Sequence, residues 1–339
     1  MALRMSFMLH SVLDDVPWDY RYLSSPLGEL DKLIKLCRCA GLQFIKARDY
    51  PQADHNCVCL TFDDGYLDNW TILHSFMEAR RIPYTVFVNE HFVERSCQVR
   101  KPGERRPGYL SVGELIRMHE SGLADIQSHS RTHTWYATSA KVIDIFQPAK
   151  KAEYPWLLWN SRPLEKHQWL EADYGELTGM PVFENDRSLR ARRFVFDPDK
   201  LDHFTRRVRT GQLSAEDANK LLQAEYGDIG RRETPSEQEA RYEAEIRDNA
   251  VFIEGALGYN PSVLCWPGGA YCALSKDIAY RFHSCTTIKR GYGRDARFMH
   301  RMSPSNPYGR DKFPWKHFRL TLLLYMFRYA AGSLREAMA

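Results

Sequence analysis

Two short motifs in this sequence bring together residue types that bind a divalent metal ion. A Thr-Phe-Asp-Asp-Gly motif occupies residues 61–65, and a His-Ser-Arg-Thr-His motif occupies residues 129–133. Asp64, His129 and His133 offer one carboxylate and two imidazoles, a set that leaves coordination positions open for water and substrate. An ion held in this way polarises a carbonyl group and lowers the pKa of its bound water. The pattern therefore predicts hydrolysis of an amide or an ester.

Neither motif is specific by itself, and the prediction depends on their joint occurrence. Asp-Asp-Gly is common in turns, because aspartate accepts backbone hydrogen bonds and glycine adopts a positive φ. The chain has 12 histidines, so a pair four residues apart can also arise by chance. Two adjacent carboxylates at a strand end cannot both face one ion. We therefore expect Asp64 to bind the metal and Asp63 to act as general base on the attacking water.

The surrounding residues predict strands that alternate with amphipathic helices, the arrangement of a parallel α/β barrel. Apolar runs indicate buried strands at residues 57–62, 84–88, 124–127, 263–266 and 284–288. Each of the two motifs lies at the end of such a strand. In a parallel barrel the active site lies at the carboxyl ends of the strands, so this placement favours a catalytic role for both motifs.

The alternation stops after Trp135, and residues 146–245 predict an insertion that is mostly helical or irregular. We therefore expect one barrel domain built from residues 1–145 and 246–312. Ser236 and Glu239 predict a capping box at the start of the helix that leads back into the barrel. The tryptophans of the insertion are expected to form a packed core, with stacking on a sugar or a lipid as the alternative: Trp156, Trp159 and Trp169.

The C-terminal segment, residues 313–339, predicts an amphipathic helix. Its apolar stretch contains Lys316, Arg319 and Arg328, so it is too short and too charged to span a membrane. We expect the helix either to dock on the barrel or to lie in the membrane surface, which would give the protein a peripheral contact with the inner face of a membrane.

Charge and composition narrow the class of protein. The 339 residues include 47 basic and 43 acidic side chains spread along the chain, so no nucleic-acid partner is expected. The first residues hold neither a long apolar segment nor a small-residue cleavage site, which predicts a cytoplasmic protein. The eight cysteines are accordingly expected to stay reduced. Cys57 and Cys59 are expected to pack as small apolar residues in a buried strand.

The two motifs resemble the first two motifs of the polysaccharide deacetylases, the NodB-homology group or carbohydrate esterase family 4. The resemblance extends to Leu-His-Ser-Val at residues 9–12 and to Trp-Pro-Gly-Gly at residues 266–269. It covers roughly residues 5–145 and 246–302 and leaves the insertion outside. The resemblance implies a distorted (β/α)₇ barrel, a zinc ion or a similar divalent ion, and removal of N-acetyl groups from amino sugars.

The resemblance also implies roles for individual residues. By position, Asp63 would be the general base, and the metal ligands would be Asp64, His129 and His133. Residues expected to line the substrate site come from two further motifs: His10, Trp266, Pro267 and Gly268.

Two departures from the family pattern concern the catalytic residues. The third motif usually begins with an arginine that orients the catalytic aspartate, but Cys265 stands at that position, as in a subgroup whose strand ends in Trp/Tyr-Pro-x-Gly. The sequence therefore leaves the partner of Asp63 unassigned. The general acid of the family is a histidine in a Leu-x-His motif, and its nearest match is Phe-Met-His at residues 298–300. We expect His300 to be the acid, with His10 as its competitor and a structural role as the alternative for His10.

Together these features predict a metal-dependent N-deacetylase that acts on an acetamido sugar during the biosynthesis of a surface polysaccharide or glycolipid. The sugar would be nucleotide-linked, lipid-linked or part of a glycan. Two other classes stay open: a catalytically silent carbohydrate-binding protein that keeps the metal cluster, and a hydrolase of non-sugar amides or imides on the same barrel. Metal content and acetate release distinguish the three classes.

Overall fold

The computed structural model describes residues 2–13, 24–288 and 297–302. The C-terminal segment 313–339, for which an amphipathic helix is predicted, lies outside the described residues. In the part of the chain that is described, no helix is both long enough and apolar enough to cross a membrane.

The described strands form one parallel sheet and two antiparallel pairs. In chain order the strands are β1 (Arg4–Leu9), β2 (Gln43–Ile45), β3 (Cys57–Phe62), β4 (Tyr84–Val88), β5 (Ala124–Ser128), β6 (Trp135–Ile145), β7 (Pro181–Arg187), β8 (Phe194–Phe196), β9 (Gly230–Arg232), β10 (Val263–Leu264), β11 (Cys285–Ile288) and β12 (Phe298–His300). The helices are α1 (Leu27–Cys39), α2 (Ser75–Glu78), α3 (Val112–Glu120), α4 (Trp156–Ser161), α5 (Pro198–Thr210), α6 (Ala215–Glu225), α7 (Pro235–Leu257) and α8 (Ala273–Ala279).

The parallel sheet closes into a barrel in the order β1-β3-β4-β5-β10-β11-β12. The residue that follows Arg301 completes the closure, because the amide of Met302 donates to the carbonyl of Ser6 and the amide of Met8 donates to the carbonyl of Met302. β2 pairs with the first half of β3 and β4 pairs with its end, so the barrel is distorted at this edge. The predicted distorted (β/α)₇ barrel is confirmed.

The barrel strands are apolar because helices and loops cover the sheet. Every residue of β3, β4 and β5 is buried. Cys57, Cys59, Phe87 and Cys265 belong to one apolar cluster of buried side chains. All eight cysteines are free thiols, and Cys57 and Cys59 pack as small apolar residues, as the sequence predicts.

The helix α7 leads from the insertion back to the barrel. It begins at a capping box formed by Thr234 and Glu237, with Pro235 at the first helical position. The predicted capping box of Ser236 and Glu239 is therefore wrong by two residues. Proline suits the first turn because its fixed φ is already helical and it has no amide hydrogen to leave unpaired, so the helix starts one residue after Thr234.

The insertion begins next to the second motif. β6 starts two residues after His133 and pairs in antiparallel fashion with β7, which places Arg187 opposite Trp135. β8 pairs with β9, and a separate apolar cluster that includes Val142, Phe204 and Tyr226 joins this part of the chain. One end of the β6–β7 hairpin therefore lies beside the metal motif.

Candidate metal centre and active site

Three potential ligand atoms lie close together at the carboxyl ends of β3 and β5. The Nε2 atoms of His129 and His133 lie 3.3 Å and 3.4 Å from Oδ1 of Asp64. Two ligands at a tetrahedral angle, each about 2.1 Å from a zinc ion, are separated by about 3.4 Å. Oδ1 of Asp64 is buried without a hydrogen-bond partner among the described residues. These residues therefore fit a divalent ion of this size.

The backbone at the ligand set takes conformations that residues other than glycine rarely adopt. Asp64 has a φ of 72°, Ser130 of 66° and His133 of 49°. Such conformations are strained for a residue with a side chain and persist where the surrounding structure holds them, often at functional sites. Among the described residues, three of the five residues other than glycine with a positive φ thus lie in the two motifs.

Hydrogen bonds to the backbone orient His129. Its Nδ1 atom donates to the carbonyl of Cys265 at 2.8 Å, which directs the lone pair of Nε2 toward Asp64. The side-chain amide of Asn89 donates to the carbonyl of His129. The imidazole is therefore fixed in the orientation that a metal ligand requires.

The charges of the ligand set depend on one another. Burial disfavours the ionised form of Asp64, but His133 and His129 outweigh burial and hold its pKa below the usual value. Burial lowers the pKa of His133 to about 4, although Asp64 opposes this change. Burial acts in the same direction on His129, yet Cys265 and the adjacent Asp64 carboxylate raise its pKa well above the usual value. At neutral pH the metal-free set thus consists of an ionised Asp64, a neutral His133 and a positively charged His129, which carries one proton more than a metal ligand can keep.

The partner of Asp63 is Arg301, the residue that sequence reasoning did not identify. The guanidinium binds the carboxylate in a bidentate manner, with Nη1 donating to Oδ1 at 2.5 Å and Nη2 donating to Oδ2 at 2.9 Å. Nη1 also donates to Oγ1 of Thr61 at 3.2 Å, and Nη2 lies 2.8 Å from the thiol of Cys265. Only 6% of Arg301 is exposed. The arginine that the third motif lacks is therefore replaced by one from the strand that closes the barrel, and the small Cys265 side chain adjoins it.

Arg301 determines the ionisation of Asp63. Burial alone would raise the pKa of this carboxyl, but the positive charge of Arg301, with smaller effects of His129 and His10, lowers it below the usual value. Asp63 is therefore a carboxylate at neutral pH, which is the form that can accept a proton.

The structure separates the two histidines proposed as the general acid. Nε2 of His10 lies 4.0 Å from Oδ2 of Asp63, and Asn69 donates to the carbonyl of His10. His300 directly precedes Arg301, and successive side chains of a strand point to opposite faces. Since Arg301 points to Asp63, His300 points away; burial lowers the pKa of both histidines, so orientation and not pKa distinguishes them. The fold thus brings His10, and not His300, close to Asp63.

Trp266, expected to line the substrate site, is buried instead. It is 1% exposed and packs in a cluster with Tyr242, Leu264 and Ile278. Its ring stacks on Tyr271 with a centroid separation of 5.1 Å. Trp266 is therefore a core residue of the third motif, and its ring is not exposed for stacking on a sugar.

The turn after Trp266 contacts a residue of the insertion. Gly268 has a φ of 57°, and a Cβ atom at this position would lie 2.0 Å from Nε of Arg187. The Arg187 guanidinium lies over the ring of Trp135, 4.4 Å from its centroid. The charge of Arg187 also contributes to the lowered pKa of His133. Arg187 thus contacts the turn at Gly268 and acts electrostatically on His133, a link that sequence reasoning missed because Arg187 belongs to the insertion.

The tryptophans of the insertion are core residues, as predicted. Trp156, Trp159 and Trp169 are each 6–7% exposed. Trp156 stacks on Trp135 at 4.5 Å, and Trp159 packs edge-on against His133 with a centroid separation of 5.9 Å. These tryptophans belong to the same apolar cluster as barrel residues such as Val88 and Phe92, and this shared core reaches His133.

Comparisons with known proteins agree with this geometry. A polysaccharide deacetylase family model matches residues 51–153, which contain both metal motifs. A search of curated proteins finds no match.

Three solved structures share the fold at low sequence identity. A de-N-acetylase from Aggregatibacter actinomycetemcomitans is 14% identical with a TM-score of 0.58, and the alignment covers 88% of this chain and 94% of that one. The BpsB deacetylase domain from Bordetella bronchiseptica is 16% identical with a TM-score of 0.54, at 88% and 94% coverage. IcaB from Ammonifex degensii is 15% identical with a TM-score of 0.53, at 91% and 94% coverage. These comparisons show that residues 51–153 match the polysaccharide deacetylase family model and that the chain shares the fold of the three deacetylase structures.

Proposed function

We propose that this chain is a metal-dependent hydrolase that removes the N-acetyl group of an amino sugar while a surface polysaccharide or glycolipid is made. The observation that carries the proposal is the bidentate pair of Asp63 and Arg301, adjacent in the fold to the Asp64, His129 and His133 set. A water-activating carboxylate and a metal site that share one strand end are the two parts that amide hydrolysis requires.

The ligand roles follow from the geometry of the three side chains. Asp64, His129 and His133 would hold the ion, and zinc is the expected one because two imidazoles and a carboxylate suit it. A bound divalent ion would polarise the acetyl carbonyl and lower the pKa of a water molecule.

Asp63 accepts the proton of the attacking water. Arg301 occupies one lone pair on each carboxylate oxygen, and the thiol of Cys265 also donates to Oδ2 at 3.6 Å, so the second lone pair of Oδ1 is left for a water molecule. The guanidinium also fixes the plane of the carboxylate, so that the base is oriented before the substrate binds.

His10 donates a proton to the departing amine in this proposal, in place of His300. Its imidazole lies on the same side of the site as Asp63, at 4.0 Å, and is partly accessible, with 14% of the side chain exposed. The turn at Pro267 and Gly268, with Arg187 beside it, would contribute to the sugar site.

The activity is tested with the purified protein loaded with zinc. Acetate release is measured on a panel of acetamido sugars that are nucleotide-linked, lipid-linked or part of a β-linked oligosaccharide. Release from at least one member supports the proposal. A protein that binds zinc but releases no acetate from any member would instead be a carbohydrate-binding protein or a hydrolase of non-sugar amides. The same panel identifies the carrier of the sugar.

A further inference from the structure

The loop between the two ligand histidines is held from two directions at Thr132. From α7, at the return of the chain to the barrel, Oε2 of Glu245 accepts a hydrogen bond of 3.0 Å from the amide of Thr132, and the hydroxyl of Thr132 donates to the other oxygen of Glu245. On the insertion side, its carbonyl accepts a hydrogen bond of 2.9 Å from Nζ of Lys166. Every polar group of Thr132 therefore has a partner from another element.

Lys166 is an unusual residue for such a contact because it is 2% exposed. A lysine is rarely buried, since an ammonium loses its hydration and must be compensated by hydrogen bonds or charge. Burial lowers the pKa of Lys166 to about 8, and Glu245 opposes this change. A buried lysine whose Nζ atom contacts the metal-binding loop indicates a role in the shape of that loop.

A second group of contacts from the insertion holds the loop at its other end. Asn160 accepts a hydrogen bond from the hydroxyl of Thr134 and donates to the carbonyl of Trp135 at 2.9 Å. The neighbouring Trp159 packs against the His133 ring. Lys166 and Asn160 thus contact the residues immediately before and after the second ligand histidine.

These contacts surround the strained part of the loop. Ser130 and His133 both have positive φ values, so an unsupported loop would relax toward conformations that turn His133 away from Asp64. Groups that orient metal ligands through hydrogen bonds control metal affinity, because they fix the ligands before the ion binds.

We propose that the insertion clamps the metal-binding loop in its ligating conformation and that Lys166 is the positioning residue that sets the affinity of the site for a divalent ion. This inference rests on the metal site of the proposed function. It gives the insertion a role in the metal centre that does not depend on which sugar is the substrate.

The test is the zinc affinity of Lys166→Met, measured by competition with a chromogenic chelator in the metal-free protein. Methionine keeps the length of the side chain and removes the donor to Thr132. We expect the affinity to fall roughly 10- to 100-fold, the loss typical of groups that orient ligands. The matched control is Lys200→Met, since Lys200 lies in the same insertion and pairs with Asp228 near the surface. We expect this control to bind zinc like the wild type.

A second variant keeps the test decisive if Lys166→Met does not fold, as judged by circular dichroism and thermal melting. Asn160 is exposed, so Asn160→Ala should fold and still bind zinc several-fold more weakly. Zinc affinity within twofold of wild type in folded Lys166→Met overturns the clamp; if that variant does not fold, the same result in Asn160→Ala overturns it. Zinc binding without acetate release in the wild type contradicts the proposed activity and leaves the clamp intact. The two proposals therefore fail separately.

Discussion

At the residue scale, the site depends on a carboxylate whose partner comes from an unexpected place. Asp63 is buried, and a buried carboxylate needs a partner to stay ionised. Arg301 provides two hydrogen bonds and a full positive charge. The thiol of Cys265 occupies the position where the family places its arginine, and a larger side chain there would compete with the Arg301 guanidinium for space.

We expect Arg301→Met to lower kcat/KM roughly 10²-fold, because the carboxylate loses its fixed orientation. Arg301 holds the pKa of Asp63 down, so its removal raises that pKa, and the acidic limb of the pH profile of kcat/KM should move to higher pH. The double variant Cys265→Arg/Arg301→Ser, which moves the arginine to the family position, should recover part of the loss. An acidic limb that stays in place would show that Arg301 does not control Asp63.

The two candidate acids give a second prediction. His10→Gln should lower kcat roughly 10²- to 10⁴-fold, the usual contribution of a general acid. His300→Gln is the matched control and should change kcat little, because His300 points away from Asp63. Zinc content of both variants, measured by atomic absorption, should equal that of the wild type. A large loss of kcat in His300→Gln with normal activity in His10→Gln would show that His300, and not His10, is the general acid.

The third prediction concerns protons released on metal binding. At pH 7 the free site has an ionised Asp64 and a neutral His133, and the raised pKa of His129 leaves a proton on that ring. A metal ligand must give up this proton, so about one proton should be released per ion. The affinity should weaken as the pH falls. The number of protons released per ion is measured from the dependence of the binding enthalpy on the ionisation enthalpy of the buffer. A number near zero at pH 7 would contradict the assignment of a proton to His129.

The sequence identifies some of these residues and not others, for a physical reason. Each ligand motif lies within a few residues of one strand end, so the alternation of strands and helices is enough to bring Asp64, His129 and His133 to one edge. The pair of Asp63 and Arg301 spans 238 positions and forms only because the chain after β12 pairs with β1. No local pattern reports which strand closes the barrel. The assignment of His300 stays a prediction of the sequence that the geometry does not favour.

At the element scale, the β6–β7 hairpin joins the insertion to the barrel at the third motif. Gly268 and Arg187 approach so closely that a side chain on Gly268 would overlap the guanidinium. The sequence indicates a turn at the Trp-Pro-Gly-Gly motif, but the contact of that turn with Arg187 depends on the pairing of Trp135 with Arg187, which no helical or strand period reveals.

Gly268→Ala is expected to have two effects. The positive φ should lower the free energy of unfolding by about 1–2 kcal/mol, and the new methyl group should displace Arg187 and lower kcat/KM. Gly41→Ala is the matched control, because Gly41 has a φ of 71° with no atom within 4 Å of a Cβ. It should lose similar stability and keep its activity. Urea denaturation and acetate release measure both quantities, and equal activity of the two variants would contradict a role for the Arg187 contact.

At the scale of the whole molecule, one closed barrel and one insertion share a single site. The barrel supplies Asp63, Arg301 and the three candidate ligand residues. The insertion contributes Arg187 and the loop contacts of Lys166 and Asn160. The barrel follows from the alternation of apolar strands and amphipathic helices, whereas the insertion has no clean period. Its participation in the site could be found only from contacts between residues distant in sequence.

The most direct test of the central claim compares wild-type protein with Asp63→Asn in the zinc-loaded state. Asparagine keeps the shape of the side chain and cannot accept the proton of water. We predict that the variant binds one zinc ion as the wild type does and that its rate of acetate release falls at least about 10²-fold. Acetate release at the wild-type rate by the zinc-loaded variant would contradict the assignment of Asp63 as the base and the mechanism built on it.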